Sequence, residues 1–471
     1  MLQFEKLRND LLPLGKEINS GLKFDKEQVL RILDGDDPSR IREVSDYFYR
    51  VSGIYKRIIW LFTGMFNFDN IVIPHSLSKG VSSVQLAKSF QKALLFIDSL
   101  VLKQLLREIT FYVFKDGTYY GYLRTEFDKP TIQQLPFNYC RSKYKVDGRY
   151  AVEFNLRYFD SEYYRTEDRK AALKSFPKEI RKFYRKYKLG TLNPDKAEKE
   201  WVVLSTDYAF AFRFPDKRPF FTGAIVDLIE LKEYKNLELE KDKLALFLLL
   251  VQKMPMTKDG EMVFDVGEAR DLHKNALKML EKNPNVDVLT TFAEMQMIDL
   301  QEHRQTIKDN LQKAERAVYN ETGVSRMIFA TEGNLSLKQA VKGYESIVRY
   351  LTELYSTWLS HIINLDHSGN KHFFEVWVLP TTIFNEEEME KKYRGLATLG
   401  YSKFLPGIVG GLKQSSMLNL IDFENNVLKL GDSMEPLQST HTISKDDDGG
   451  RPKKEEDDRS SGTVENLEGQ G

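Results

Sequence analysis

The sequence predicts an α+β fold, predominantly helical, spread over more than one domain. Three observations carry this. Apolar residues recur at spacings of three and four over long stretches, as on one face of a helix. A block rich in Tyr, Phe and Val, punctuated by Asp-Gly pairs, occupies about 110–214 and reads as strands. Two charge-dense helical segments then bracket a small mixed module. The 471 residues imply two or three domains at roughly 150 residues each. An apolar content of 41% suffices for sizeable cores, and 12% aromatics favours extensive packing or interfaces.

Residues 1–24 read as a loosely structured arm. Asp25 is expected to cap a small helix through Leu33. Asp37-Pro38 is an N-cap followed by Pro at the first helical position, and it opens one long helix. Its stripe is Ile41, Val44, Tyr47, Phe48, Val51, Tyr55, Ile58 and Phe62, ending near Gly64. Ile71 to Pro74 is extended, and a second long helix runs from Ser82 to Ile109. Strands are expected at Thr110–Phe114 and Tyr119–Arg124 about an Asp116-Gly117 hairpin turn, and on either side of Asp147-Gly148. Trp201–Ser205 and Ala209–Phe214 read as a strand pair. Before them Phe176–Lys188 is a very basic helix, open to two readings: a nucleic-acid patch or a solvated face.

A long helix is expected from Thr222 to Leu250, dense in alternating charge over Glu230–Lys243 and apolar on all sides over Leu244–Val251. A helix of such unlike halves does not suit one globular surface. Residues 251–301 make a small module with a turn at Asp259-Gly260, a helix over Val266–Glu281 and a strand over Val286–Thr290. A charged helix, Glu302–Glu321, follows and stops at Gly323. After a loop, a third long helix covers Ser336–Leu365. Then come a strand (Phe373–Leu379), a charged helix (Asn385–Leu399) and a short helix (Met417–Leu430). From Asp432 onward the composition predicts a disordered charged tail.

Chemistry is sparse. Lys plus Arg and Asp plus Glu are 69 each, so the formal charge is zero and tight wrapping of nucleic acid is disfavoured. The single cysteine, Cys140, lies in an aromatic strand and is expected to be buried; no intrachain disulfide can form. The longest apolar run has eight residues against the ~20 of a membrane span, and the start carries charges where a secretion signal would be apolar. A soluble chain, made in the cytoplasm, is expected. Residues 407–415, GIVGGLKQS, fail as a phosphate loop: Leu412 separates Gly411 from Lys413, and Gln414 stands where a hydroxyl is needed. His361, His367 and His372 with Asp366 share no face, so no metal site is expected. No catalytic residue and no cofactor is assigned.

Two helices running out and back, with a small module at their tip, make a stalk whose burial neighbouring copies would complete in a closed ring. Several short segments extend this reading. They are Val44-Ser45-Asp46-Tyr47, Ser52-Gly53-Ile54-Tyr55, Leu135-Pro136-Phe137-Asn138-Tyr139-Cys140 and Tyr158-Phe159-Asp160. Near the end come Gly411-Leu412-Lys413-Gln414-Ser415, Phe423-Glu424-Asn425, Met434 with Pro436-Leu437-Gln438-Ser439, and Gly450-Arg451-Pro452-Lys453. In their order over most of the chain, they resemble the portal proteins of tailed bacteriophages, in particular the family found in phages of Gram-positive and related hosts.

The resemblance implies a portal-like wing, stem, clip and crown arrangement assembling into a ring, usually of twelve copies, at one capsid vertex. Residues 1–221 would be wing, 222–250 and 302–322 stem helices, and 251–301 the clip. Residues 323–371 would hold the tunnel loop and long helix, 372–400 a strand and helix returning to the wing, 401–431 the crown, and 432–471 the tail. The loop Thr331, Glu332, Gly333, Asn334 and Leu335 would approach double-stranded DNA in the channel; with one acid and no Lys or Arg it suits low friction. Lys258, Asp259, Glu261 and Glu268 would lie on the clip, facing the terminase large subunit and later the head–tail adaptor. Major capsid and scaffolding proteins are the other implied partners. The implied location is the virion, reached from the host cytoplasm. The genome would be packaged and ejected through the ring, with energy from a separate ATPase. An enzyme without a recognised motif, or another oligomeric virion component, stays open beside this reading.

Overall fold

The computed structural model describes residues 23–35, 37–76, 82–125, 129–162, 165–192, 198–245, 248–253, 265–280, 286–291, 302–323, 343–365 and 373–430. The chain is α+β and predominantly helical. Two compact units meet at Ser415/Ser416.

Helix α1 (Lys26–Asp34) opens on a capping box: the Asp25 carboxylate accepts the Gln28 N–H at 2.7 Å, and the Gln28 side chain accepts the Asp25 N–H. Helix α2 (Pro38–Val51) starts at Asp37-Pro38, as the sequence predicts. The expected single helix ending near Gly64 is instead two. Ser52 is extended and its hydroxyl accepts the Tyr55 N–H, so it caps a new helix, α3 (Gly53–Gly64). Ser competes for backbone partners inside a helix and prefers this position. Strand β1 (Asn70–Ser76) and helices α4 (Ser83–Ser99) and α5 (Leu102–Asp116) follow. The expected helix over 82–109 likewise breaks, at Val101, whose φ is 49°.

Helix α5 then runs through Thr110–Phe114, which the sequence reading assigned to a strand. Leu106, Ile109, Thr110, Val113 and Phe114 are all buried, a helical spacing that the aromatic composition disguised. Gly117 is therefore no hairpin turn. It is the left-handed residue ending α5, with φ 78° and its N–H on the Val113 carbonyl at 3.0 Å. A Cβ there would lie 2.4 Å from the Arg218 carbonyl carbon, so only glycine fits.

Strand β2 (Thr118–Arg124) is central in an antiparallel sheet between β3 (Thr131–Gln134) and a later strand. Short strands β4 (Cys140–Arg141), β5 (Lys145–Val146), β6 (Arg149–Tyr150) and β7 (Glu153–Asn155) follow. Asp147 and Gly148, with φ 48° and 76°, make the expected tight turn between β5 and β6. Helices α6 (Tyr158–Ser161), α7 (Thr166–Ser175) and α8 (Lys178–Lys188) cover a core that includes Phe154, Phe159, Phe176, Ile180 and Tyr184. Strands β8 (Trp201–Val203) and β9 (Ala209–Arg213) do not pair with each other as expected: β8 joins β7, and β9 joins β2. All five residues of β9 are buried, which suits a strand covered on both faces rather than a hairpin arm.

Helix α9 (Gly223–Ala245) ends earlier than expected. The apolar run read as its tip is a strand, β10 (Leu248–Lys253), paired in parallel with β11 (Val286–Thr291) across helix α10 (Val266–Leu280). Continuous apolar runs are the mark of parallel strands, and periodicity alone cannot separate them from a buried helix. Helix α11 (Glu302–Glu321) has the expected bounds and ends at Gly323, φ 67°. Helix α12 (Glu345–Ile362) lays Tyr355 and Trp358 on Phe212 and Phe210 of β9, with centroids 4.8 and 4.4 Å apart. Strand β12 (Phe373–Val378) pairs antiparallel with β1. Helices α13 (Glu386–Thr398), α14 (Phe404–Val409) and α15 (Gln414–Asp422), then a π turn at Phe423–Val427, complete the described chain.

Candidate functional site

The helix pair α9–α11 and the module between them are what the sequence singled out. The two helices pack antiparallel: the first residue of α9, Gly223, lies against Glu321, the last of α11, and a Cβ on Gly223 would stand 2.5 Å from the Glu321 carboxylate. Near the body the pair is packed through Ala224, Ile225, Leu228, Ile229 and Leu231 on α9 and Ala314 and Val318 on α11. Tyr344 donates its hydroxyl to the Gly323 carbonyl and sets its ring 4.7 Å from that of Phe62, which fixes the root of α11 to the body. Farther along α9 the apolar cover ends, and Leu239 is 58% exposed.

The electrostatics at the root are one-sided. Asp227, Glu230 and Glu233 follow each other on α9, and Lys26 of α1 pairs with Glu230. Burial pushes the Asp227 and Glu233 carboxyls above the usual range, and the Glu230 charge pushes them further. Between the two helices in the chain is a β–α–β unit of two parallel strands and one helix, a minimal sheet that has no third strand among the described residues.

The two-stranded sheet β1–β12 is bonded by side chains on both edges. Gln414 is buried; its Oε1 accepts the Val72 N–H at 2.8 Å and its Nε2 donates to the Val72 carbonyl at 3.1 Å. It imitates the next strand. On the opposite edge α12 presents Ser356, Ser360 and Asn364. Their side-chain oxygens accept the N–H groups of Val378, Val376 and Phe374 at 2.9, 2.9 and 3.2 Å. Four residues of helix advance about 6 Å and two residues of strand about 6.7 Å, so this i, i+4, i+8 ladder keeps register with alternate strand residues. The segment 407–415 is thus a structural latch through Gln414, consistent with its rejection as a phosphate loop.

Helix α12, β12 and α13 also border an open groove of about 1110 Å³, with Trp377 at its side, 46% exposed. Its lining hydroxyls, Thr352, Ser356, Thr357 and Ser360, all donate to backbone carbonyls, and Glu345 faces Arg349 at 3.6 Å. These four hydroxyls are thus held by the backbone.

Of the residues assigned from sequence, Glu268 lies in the first turn of α10, exposed, and its carboxylate accepts the Asp265 N–H at 3.2 Å. That is the return half of a capping box. Lys258, Asp259 and Glu261 lie outside the described residues, as do Thr331, Glu332, Gly333, Asn334 and Leu335 and the tail from residue 432. Cys140 is buried, and burial raises its thiol pKa well above the usual value, which suits packing rather than nucleophilic work. His361 lies on α12 with Nε2 3.2 Å from Asp207 Oδ1; burial and the Arg149 charge lower its pKa. His367 and His372 lie outside the described residues, and among the described ones no group of three His, Cys, Asp or Glu is placed to hold a metal. The two sheet-edge latches escaped the sequence; the i, i+4 placement of Ser356, Ser360 and Asn364 along one line of the helix is the signal that could have found the second. No helix among the described residues is long and apolar enough to cross a membrane. No protein-family model matches the chain, and no curated protein matches it.

Proposed function

We propose that this chain is the subunit of a phage portal, a ring-shaped DNA channel at one capsid vertex that docks the packaging motor and later the head–tail connector. The observation that carries the reading is the antiparallel pair α9–α11 with a β–α–β unit between its strands of charge. The pair is packed at its root and loses apolar cover along α9 where Leu239 is exposed. Such helices gain their burial from neighbours, and a closed ring supplies identical neighbours on both sides. In this reading the β–α–β unit is the clip, and the α+β body the wing. The net charge of zero supports passage of DNA without a tight grip on phosphates.

Negative-stain images of the purified chain test this. End-on rings with a central channel are expected. Particles of single-subunit size at every concentration and salt would return the enzyme reading, with the groove beside α12 as its first place to search.

A further inference from the structure

We propose that the exposed basic stripe of α8 binds the phosphate backbone of double-stranded nucleic acid without sequence preference. Residues 165–192 hold ten Lys and Arg against three Asp and Glu, a local charge of +7 in a chain whose total is zero. Helix α8 buries Ile180 and Tyr184 on one side. On the other, Lys178, Lys182, Arg185 and Lys186 stand exposed at i, i+4, i+7 and i+8, one face of the helix.

Two acids near this face, Glu179 and Asp160, are engaged elsewhere. Glu179 accepts the Tyr122 hydroxyl at 2.9 Å and the Ser205 N–H at 2.8 Å. Asp160 holds Lys188 at 2.8 Å and Arg169 at 3.6 Å. Lys182, Arg185 and Lys186 have no ion-pair partner among the described residues, and the same holds for Lys170 and Lys174, exposed on α7. These contacts tighten the fold, and Lys182, Arg185 and Lys186 stay exposed.

The chemistry of the stripe selects the partner. Protein–protein interfaces are depleted of Lys and are built around aromatic or apolar centres. This face is mainly Lys, and Phe183 and Tyr187 are half-buried against the core below it. With its aromatics turned inward, α8 lacks the stacking platforms that hold single-stranded bases. Point charges at one-turn intervals suit the backbone of a duplex, which carries charge and demands no side-chain pocket. Three or four contacts are far fewer than wrapping requires, so the neutral total charge is no obstacle. The inference does not rest on ring assembly.

The test is binding of the full chain to a fluorescent 30-base-pair duplex of mixed sequence, followed by anisotropy from 50 to 200 mM salt. Three or four phosphate contacts predict a slope of about −2.7 to −3.6 in log K against log salt, a roughly 40- to 150-fold loss of affinity over that range. The variant Lys182→Gln/Arg185→Gln/Lys186→Gln should flatten the slope by about 2.7, with unchanged circular dichroism and unchanged mass. Lys182→Arg/Lys186→Arg should keep it. Absence of binding at 50 mM salt overturns the proposal, and so does a triple variant that binds as the parent does. Equal affinity for poly-glutamate also overturns it, by assigning the stripe to an acidic protein partner.

Discussion

Replacing Gln414 with alanine isolates the latch on the outer edge of β1. Val72 is 2% exposed, and its N–H and C=O both bond to the Gln414 amide. Alanine leaves the two groups buried without partners. Each costs about 1–3 kcal/mol, so the pair costs at least roughly 2 kcal/mol even if water reaches part of the gap. At about 1.36 kcal/mol per decade, hydrogen-exchange protection of the Val72 amide should fall at least about 30-fold. Exchange read by NMR or mass spectrometry is the assay, because it reports on this sheet rather than on the whole chain. Ser360→Ala should instead expose Val376, the residue opposite Val72 across the sheet, whose N–H bonds to the Ser360 hydroxyl. Gln414→Glu should be worse at pH 7 than at pH 4, since it keeps an acceptor for the Val72 N–H and sets a carboxylate against the carbonyl. If Val72 keeps its protection in Gln414→Ala, side-chain closure of the edge is refuted.

Four further outcomes are expected. Gly117→Ala forces a non-glycine into a left-handed turn and into the Arg218 backbone, at a cost of several kcal/mol on the order of a core defect, while Gly148→Ala, with nothing nearer than 3.8 Å, should cost only about 1 kcal/mol; melting temperatures compare them. His361 has a pKa lowered on folding, so the unfolded chain takes the proton first and stability should fall as pH drops below about 6.5; unfolding midpoints of His361→Gln should show a flatter slope there. Leu239→Glu should leave the far-ultraviolet circular dichroism of the subunit unchanged and shift light-scattering mass toward the monomer, because Leu239 is exposed within one subunit. Substituting Glu332 and Asn334 should leave ring assembly intact and impair DNA packaging; packaging that survives deletion of 331–334 counts against the channel role of that loop.

Much of the helical architecture was legible because burial imposes its period on the sequence. The stripe through Ile41, Val44 and Phe48, the cap at Asp37-Pro38 and the bounds of α11 could all be read directly. The errors share a cause. Ser52 and Val101 break helices whose apolar period continues across the break, so the pattern carries no mark of them. Asp116-Gly117 offers the same residue types to a hairpin and to a helix end, and only burial of Ile109, Val113 and Phe114 decides between them. Leu248–Val251 reads alike as buried helix or parallel strand until β11 is set beside it. The site was legible in outline, as a module between two charged helices. Gln414 was not, since a lone glutamine in a Gly-rich segment gives no sign of the strand it will imitate.

The most direct test of the portal account is the mass of the purified chain across a concentration series. Twelve copies of a 54.8 kDa subunit predict a discrete species of about 660 kDa, formed without a ladder of open intermediates because a ring closes. A mass that stays at 54.8 kDa from nanomolar to high micromolar concentration, at low and high salt, would contradict it.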